Sequence, residues 1–207
     1  MIEQGTPEWQ ALRIGKLTAS RVADMLATVK TGESMSRKNL RADLIAERLT
    51  GNKTDSYTTS AMSWGVETEP QARVAYEVFS DTLVDQIAFV DHPTIPNFGC
   101  SPDGLVDEDG LIEIKCPNTA THLEYLEYWK TRKLPSKYLT QMMSQMSVTG
   151  RKWCDFVSFD PRLPDGLKLL VVRIERDEEV IAKIEAEAIK FLAEVDDKIV
   201  ELYKKVQ

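Results

Sequence analysis

Apolar positions along this chain recur at two different periods, and the switch between them divides it. Thr18-Ala19-Ser20 followed by Arg21-Val22-Ala23-Asp24-Met25-Leu26 reads as a capped helix start. Residues 36–50 set Arg, Asp and Glu between Leu and Ile at helical spacing, with Ser36 as the cap. A further helix is predicted from Glu67 to Phe79, with Ala72, Ala75, Tyr76 and Phe79 as its apolar members. The middle of the chain changes to a strand-like period. Gln86–Val90 and Leu111–Lys115 read as strands, and Cys100–Val106 reads as a strand that reaches a glycine turn. The turn residues Asp107-Glu108-Asp109-Gly110 join the last two as an antiparallel hairpin.

Helices follow at 120–131 and 137–149, then strands at 154–159 and 169–174. The chain ends in a long amphipathic helix from about Asp177. Its stripe of Ile181, Ile184, Ala188, Phe191, Val195, Ile199 and Leu202 keeps steps of three and four and is expected to be core packing. This order predicts an α/β fold: a central mixed β-sheet flanked by helices, with a long C-terminal amphipathic helix. The 207 residues suffice for one such domain and would be cramped as two, so residues 1–207 are expected to form a single domain.

Composition narrows the function classes. No apolar run approaches the roughly 18–20 residues needed to span a bilayer. Met1–Gly5 lacks the basic flank and apolar stretch of a signal peptide, so a cytoplasmic protein with no membrane partner is expected. Three cysteines, Cys100, Cys116 and Cys154, with no C-x-x-C pair argue against a disulfide framework, a zinc ribbon or an iron–sulfur cluster. Two histidines leave little scope for a histidine-rich metal site. The formal net charge of -7 is not that of a simple basic DNA-binding domain. The placement of Lys and Arg matters more than their sum, and bound metal ions would offset part of the excess.

The chemistry concentrates at Pro102-Asp103 and Glu113-Ile114-Lys115. Two residues apart on a strand, Glu113 and Lys115 share a face, and Asp103 on the adjoining strand can meet them. Two carboxylates about 5 Å apart repel by roughly 3 kcal/mol at an effective dielectric near 20. A divalent cation removes that penalty, and all-oxygen ligation, with the Ile114 carbonyl as a further donor, selects Mg²⁺ or Mn²⁺ over zinc. Such an ion binds a phosphate oxygen and acidifies a bound water, and a second would serve the leaving oxygen. Lys115 is placed to orient or deprotonate the water or to stabilise the phosphorane, with nearby metal charge depressing its pKa. The bland alternative is a turn Asp beside a surface ion pair worth about 0–1 kcal/mol. The apolar neighbours Leu111, Ile112 and Ile114 make unpaired charge costly there and favour chemistry.

Ser101-Pro102-Asp103-Gly104 with Glu113-Ile114-Lys115-Cys116-Pro117 resembles the core of the lambda-type phage exonucleases, in the PD-(D/E)xK nuclease superfamily. Four further segments agree in order: Leu12–Gly15 leading into Thr18–Ser20; Trp64-Gly65 with Glu69 and Ala72-Arg73; Tyr138–Gln141; and Asp160–Arg162 with Ile174–Asp177. The resemblance implies that Asp103, Glu113 and the Ile114 carbonyl hold two Mg²⁺ ions and that Lys115 is the catalytic lysine. Glu69 is then a third carboxylate, acting on metal directly or through water. Arg13, Ser20, Ser101 and Gln141 fall on the positions of a 5′-phosphate pocket. Where the family has an arginine in contact with DNA, this chain has Lys30, which keeps the charge and loses the bidentate geometry.

The implied activity is phage-type recombination: degradation of the 5′-ended strand from double-stranded DNA ends to mononucleotides, leaving 3′ overhangs. The implied assembly is a ring-shaped homotrimer with the duplex threaded through it, working with a single-strand annealing protein in a bacterial host. A PD-(D/E)xK endonuclease, which would nick a closed plasmid, is the first alternative. A catalytically silent DNA-end-binding scaffold is the second.

Overall fold

The structure, a computed structural model, describes residues 2–54 and 59–205. Its elements in chain order are α1 (Pro7–Ala11), β1 (Leu17–Thr18), α2 (Val22–Met25), α3 (Met35–Thr50), α4 (Ser60–Ser80), β2 (Val84–Asp85), β3 (Val90–Asp91), β4 (Phe98–Cys100), β5 (Gly104–Val106) and β6 (Gly110–Lys115). There follow α5 (Thr119–Leu126), α6 (Tyr128–Thr131), α7 (Ser136–Thr149), β7 (Trp153–Phe159), β8 (Leu169–Glu175) and α8 (Glu178–Lys205). The expected class holds. A five-stranded mixed sheet in the order β2-β5-β6-β7-β8 is antiparallel throughout except for the parallel pair β6 and β7.

Alternation along the central strands sorts side chains onto two faces. Leu111, Cys154, Phe156 and Val172 join the larger core beneath α2, α3, α7 and α8. Ile112, Ile114, Val157 and Phe159 point the other way and meet Ala72 and Tyr76 of α4. Tyr76 also donates its hydroxyl proton to the buried Asp155 at 2.8 Å, and Arg173 grips the same carboxylate with two bonds of 2.9 Å. Each face of β6 therefore has its own helical cover, and Glu113 follows Leu111 onto the α7 side.

Several boundaries differ from those the periodicity predicts. The cap of α3 is Ser34, whose Oγ accepts from the Arg37 amide at 3.2 Å, and not Ser36. Thr18 is a strand residue that caps nothing through its side chain; a 3-10 turn, Ala19–Arg21, separates it from α2. α4 begins seven residues before Glu67, at a Thr59 cap. Its buried positions, Thr68, Ala72 and Tyr76, lie in its later turns. The first two turns bury nothing and so carry no apolar period. Phe79, expected on the buried face, is 66 % exposed. The helix predicted over 120–131 divides at Glu127 into α5 and α6.

The middle strands break in an informative way. Residues 86–89 are not strand, leaving only the short β2 and β3 on either side. The carbonyls of Ile87 and Ala88 accept instead from the side chains of Gln4 and Trp9, each at 2.8 Å. Cys100–Val106 is not one strand either. β4 belongs to a small second sheet, in the order β1-β4-β3, which the sequence pattern does not predict. β5 belongs to the large sheet, and Ser101-Pro102-Asp103 is the bridge between them.

α8 carries its apolar stripe as expected through Val195, all of it buried. Leu202, predicted to continue the stripe, is 38 % exposed, because the last two turns run past the core. Arg37 and Arg41 on α3 reach across to Glu194 at 2.7 and 3.0 Å and fix the helix along the body. Among the described residues, no helix is long and apolar enough to cross a membrane.

Phe191 is fully buried in this stripe, and Val200 two turns later is half exposed. In denaturant unfolding, Phe191→Ala is expected to cost about 3–5 kcal/mol. Val200→Ala should change stability by no more than about 0.5 kcal/mol.

Candidate active site

Glu113 occupies the centre of the large sheet, paired in register with Phe156 of β7, and its side chain is wholly buried. A carboxylate in such a place needs donors for both oxygens. Oε1 accepts from Gln141 Nε2 at 2.7 Å and forms an ion pair with Lys115 Nζ, while Oε2 accepts from Gln145 Nε2 at 2.6 Å. The expected shared face of Glu113 and Lys115 is thus observed. Lys115 lies at the end of β6, and its ammonium also sits 5.3 Å from the Tyr138 ring centroid.

Asp103 closes the cluster from the bridge. Gly104 pairs with Ile112, which sets the preceding residue, Asp103, beside Glu113. Its Oδ2 accepts from the Ile114 amide at 2.6 Å. Burial, reinforced by the charges of Glu113 and Glu69, raises the Asp103 carboxyl well above its ordinary value. Burial opposes the Lys115 ammonium, but Glu113 and Asp103 outweigh it and raise its pKa. In the protein alone, the expected depression of Lys115 is therefore reversed; it would require a cation's charge nearby.

Glu69 approaches from α4. Its Oε1 accepts from Arg73 at 2.6 Å, one helical turn on, and burial raises its pKa despite Arg73 and Lys115. Among the described residues, no group of three or more His, Cys, Asp or Glu side chains converges closely enough to hold a metal ion. The donor set nonetheless suits a hard cation. Asp103, Glu113 and Glu69 offer carboxylate oxygens that feel one another's charge, and Asp103 and Glu69 are held toward the protonated form by burial and by that repulsion.

The four residues expected to hold a phosphate are distributed unevenly. Arg13 and Ser101 meet: Arg13 Nη1 donates to Ser101 Oγ at 3.0 Å. Trp9 Nε1 donates to the same oxygen at 2.9 Å, and its ring lies 4.1 Å beneath the Arg13 guanidinium. With two bonds accepted, the Ser101 hydroxyl proton is left to point elsewhere. Burial lowers the Arg13 pKa, and the negative charge of Glu47 partly offsets that fall. Ser20 is exposed on the 3-10 turn, 3.2 Å from Thr18 Oγ1, and Thr18 lines a cleft shared by Arg13, Lys16, Arg21 and Lys53. Gln141 donates to Glu113 and does not line this cleft. Lys30 is exposed in the loop between α2 and α3.

Sequence reasoning misses Gln145 and Trp9. Gln145 has a signal, since it is four residues after Gln141, the spacing that puts two side chains on one helical face. Trp9 has none, because Arg13 lies beyond the end of α1 and their stacking depends on the turn between them.

Comparison with known proteins gives the class of this fold, a phage-type nuclease. Residues 8–152 match the profile of the YqaJ-like viral recombinase domain. The chain is 50% identical to LHK-Exo solved in complex with dAMP, over 97% of this chain and 98% of that one, with a TM-score of 0.88. An alkaline exonuclease (LHK-Exo) from Laribacter hongkongensis gives 49% identity, the same coverage and a TM-score of 0.88. A phage-related exonuclease from Haemophilus somnus 129PT shares the fold at 18% identity and a TM-score of 0.71, over 93% and 98% of the two chains. No curated protein sequence matches. The chain belongs to the YqaJ-like viral recombinase family, the lambda-type exonucleases.

Asp103 binds its proton more tightly folded than unfolded, so its contribution to stability falls as pH rises above the ordinary carboxylate range near 3.9. In EDTA, Asp103→Asn should stabilise the protein by about 0.5–2 kcal/mol at neutral pH, and with Mg²⁺ added the same variant should not cleave DNA. Thermal melts across pH should show that gain shrinking toward pH ~4.

Proposed function

We propose that this protein is a Mg²⁺-dependent, processive 5′→3′ exonuclease. It degrades the 5′-phosphorylated strand at double-stranded DNA ends, releasing mononucleotides and leaving 3′ overhangs for annealing-type recombination. One observation carries this reading: Ser101 and Asp103 flank Pro102 on a single bridge between the two sheets. The oxygen gripped by Arg13 and Trp9 thus lies two residues from the Asp103 carboxylate, which is bonded to β6 beside Glu113. A terminal phosphate held by Arg13 would bring the next phosphodiester toward Asp103.

Asp103, Glu113, the Ile114 carbonyl and Glu69, directly or through water, would hold two Mg²⁺ ions, with Mn²⁺ able to substitute. When bound, such ions polarise the phosphate and ease deprotonation of a water. The chain's own groups supply the rest. Lys115 orients the attacking water or stabilises charge on the phosphorus oxygens, and Glu113 holds the lysine in place. Water attacks phosphorus, the bond to O3′ breaks, and O3′ takes up a proton. The mononucleotide leaves, and the remaining strand keeps a 5′-phosphate for the next cycle. The complex of LHK-Exo with dAMP fits a mononucleotide product.

Arg13, with Ser101 and Ser20, grips the terminal phosphate, Arg supplying a planar fork of donors. Gln141 joins them once it releases Glu113, and Lys30 adds a weaker backbone contact. The cleft lined by Arg13, Lys16, Arg21 and Lys53 concentrates positive charge on a chain whose net charge is -7. Residues 1–207 work as one exonuclease domain, assembled as a ring-shaped homotrimer around the duplex. The partner is a single-strand annealing protein, and the setting is the cytoplasm of a bacterial host.

The deciding assay uses a linear duplex phosphorylated at one 5′ end, with Mg²⁺, beside a covalently closed plasmid. Loss of the phosphorylated strand as mononucleotides with the plasmid intact is expected; nicked plasmid would move the assignment to an endonuclease. Lys115→Ala should lower kcat by about 10²–10⁴-fold with DNA binding retained, and unchanged turnover removes Lys115 from the chemistry. Arg13→Ala should cost about tenfold to a hundredfold on 5′-phosphorylated ends. Equal losses on 5′-hydroxyl ends would sink the phosphate-pocket assignment.

A further inference from the structure

The three donors around Glu113 are not equivalent. Lys115 and Gln141 both serve Oε1, and both are only partly buried at the open end of β6. Among the described residues, Oε2 has Gln145 alone. Gln145 is 1 % exposed, so substrate cannot reach it. Its amide is also held from behind: the Cys154 thiol faces Gln145 Oε1 at 3.9 Å. Burial keeps that thiol protonated and therefore a donor. With a donor at its oxygen and a carboxylate at its nitrogen, the amide has only one orientation that satisfies both ends.

We propose that Gln145 is a positioning residue that locks the Glu113 carboxylate through Oε2, so that Oε1 stays aimed at Lys115 and at the divalent cations of the proposed nuclease reaction. Gln141 can leave Glu113 to serve DNA, and Lys115 has donors to spare for the attacking water while it stays paired with Oε1. Gln145 then remains as the fixed support, and the carboxylate does not swing when Gln141 goes. Cys154, on the strand beside β6, is the backstop of that support. The inference rests on the nuclease assignment, and its test separates the two.

Gln145→Met keeps the length and loses the donor, and Gln145→Asn keeps the amide one methylene short. Each variant is compared with wild type by calorimetric titration of the DNA-free protein with Mn²⁺, by steady-state cleavage of a 5′-phosphorylated duplex, and by thermal melting. For Gln145→Met, Mn²⁺ affinity and kcat are each expected to fall about 10–100-fold while KM for DNA stays within about twofold. Gln145→Asn, which retains fold and amide, should lie between. Wild-type Mn²⁺ affinity and kcat in a folded Gln145→Met would overturn the role, as would a loss confined to KM. If Gln145→Met does not fold, Gln145→Asn decides alone, and wild-type values there overturn the role. A wild-type protein that binds Mn²⁺ but cuts no DNA would instead overturn the nuclease assignment, with the titration still testing Gln145.

Discussion

A fully buried carboxylate at the middle of a β-sheet is the constraint around which this protein is arranged. Glu113 lies between strands whose other residues there are apolar, where an ionised oxygen without donors is severely destabilising. The fold answers with one helix, α7, whose Gln141 and Gln145 are spaced to meet both oxygens, and with Lys115 two residues along the same strand. α7 must therefore pack at a definite rotation against β6 and β7, and the apolar face of α8 packs into the same core beside it. The arrangement concentrates negative charge near Asp103 and Glu69, both held toward protonation. Stability and chemistry pull in opposite directions at these positions.

The meeting of Asp103, Glu113 and Lys115 was legible in the sequence because strand alternation is local. Glu113 and Lys115 share a face whatever else the chain does, and an apolar frame makes their charges conspicuous. The class of fold was legible for a similar reason, since long periodic segments such as 137–149 and 181–195 announce themselves. What stayed hidden depends on contacts far apart in the chain. The second sheet joins β1 to β4 across some eighty residues, through strands of two or three residues with no period to read. The early turns of α4 bury nothing, so hydrophobicity cannot mark them. Gln141 has the residue type to bind a phosphate, and only the three-dimensional structure shows that it spends its amide on Glu113.

Charge follows the same logic. The excess of acidic residues gives no hint of DNA, yet four basic side chains share one cleft with Trp9 and Thr18. Local arrangement, and not the sum over the chain, sets the potential a phosphate would meet. The stacked Trp9–Arg13 pair adds stiffness there. A guanidinium resting on an indole and bonded to Ser101 has lost much of its freedom before any ligand arrives, so less remains to be lost on binding.

The bridge Ser101-Pro102-Asp103 has a consequence for exchange of parts between relatives. It is a hinge point in topology but not in mechanics: Pro102 has a fixed φ and no amide proton, Ser101 is tied to Trp9 and Arg13, and Asp103 is tied to β6. A chimaera that drew its small sheet from one homologue and its large sheet from another would have to inherit all three residues together with Trp9 and Arg13, which grip Ser101. The natural unit of inheritance at this junction is therefore the joint itself, and not either of the sheets it connects.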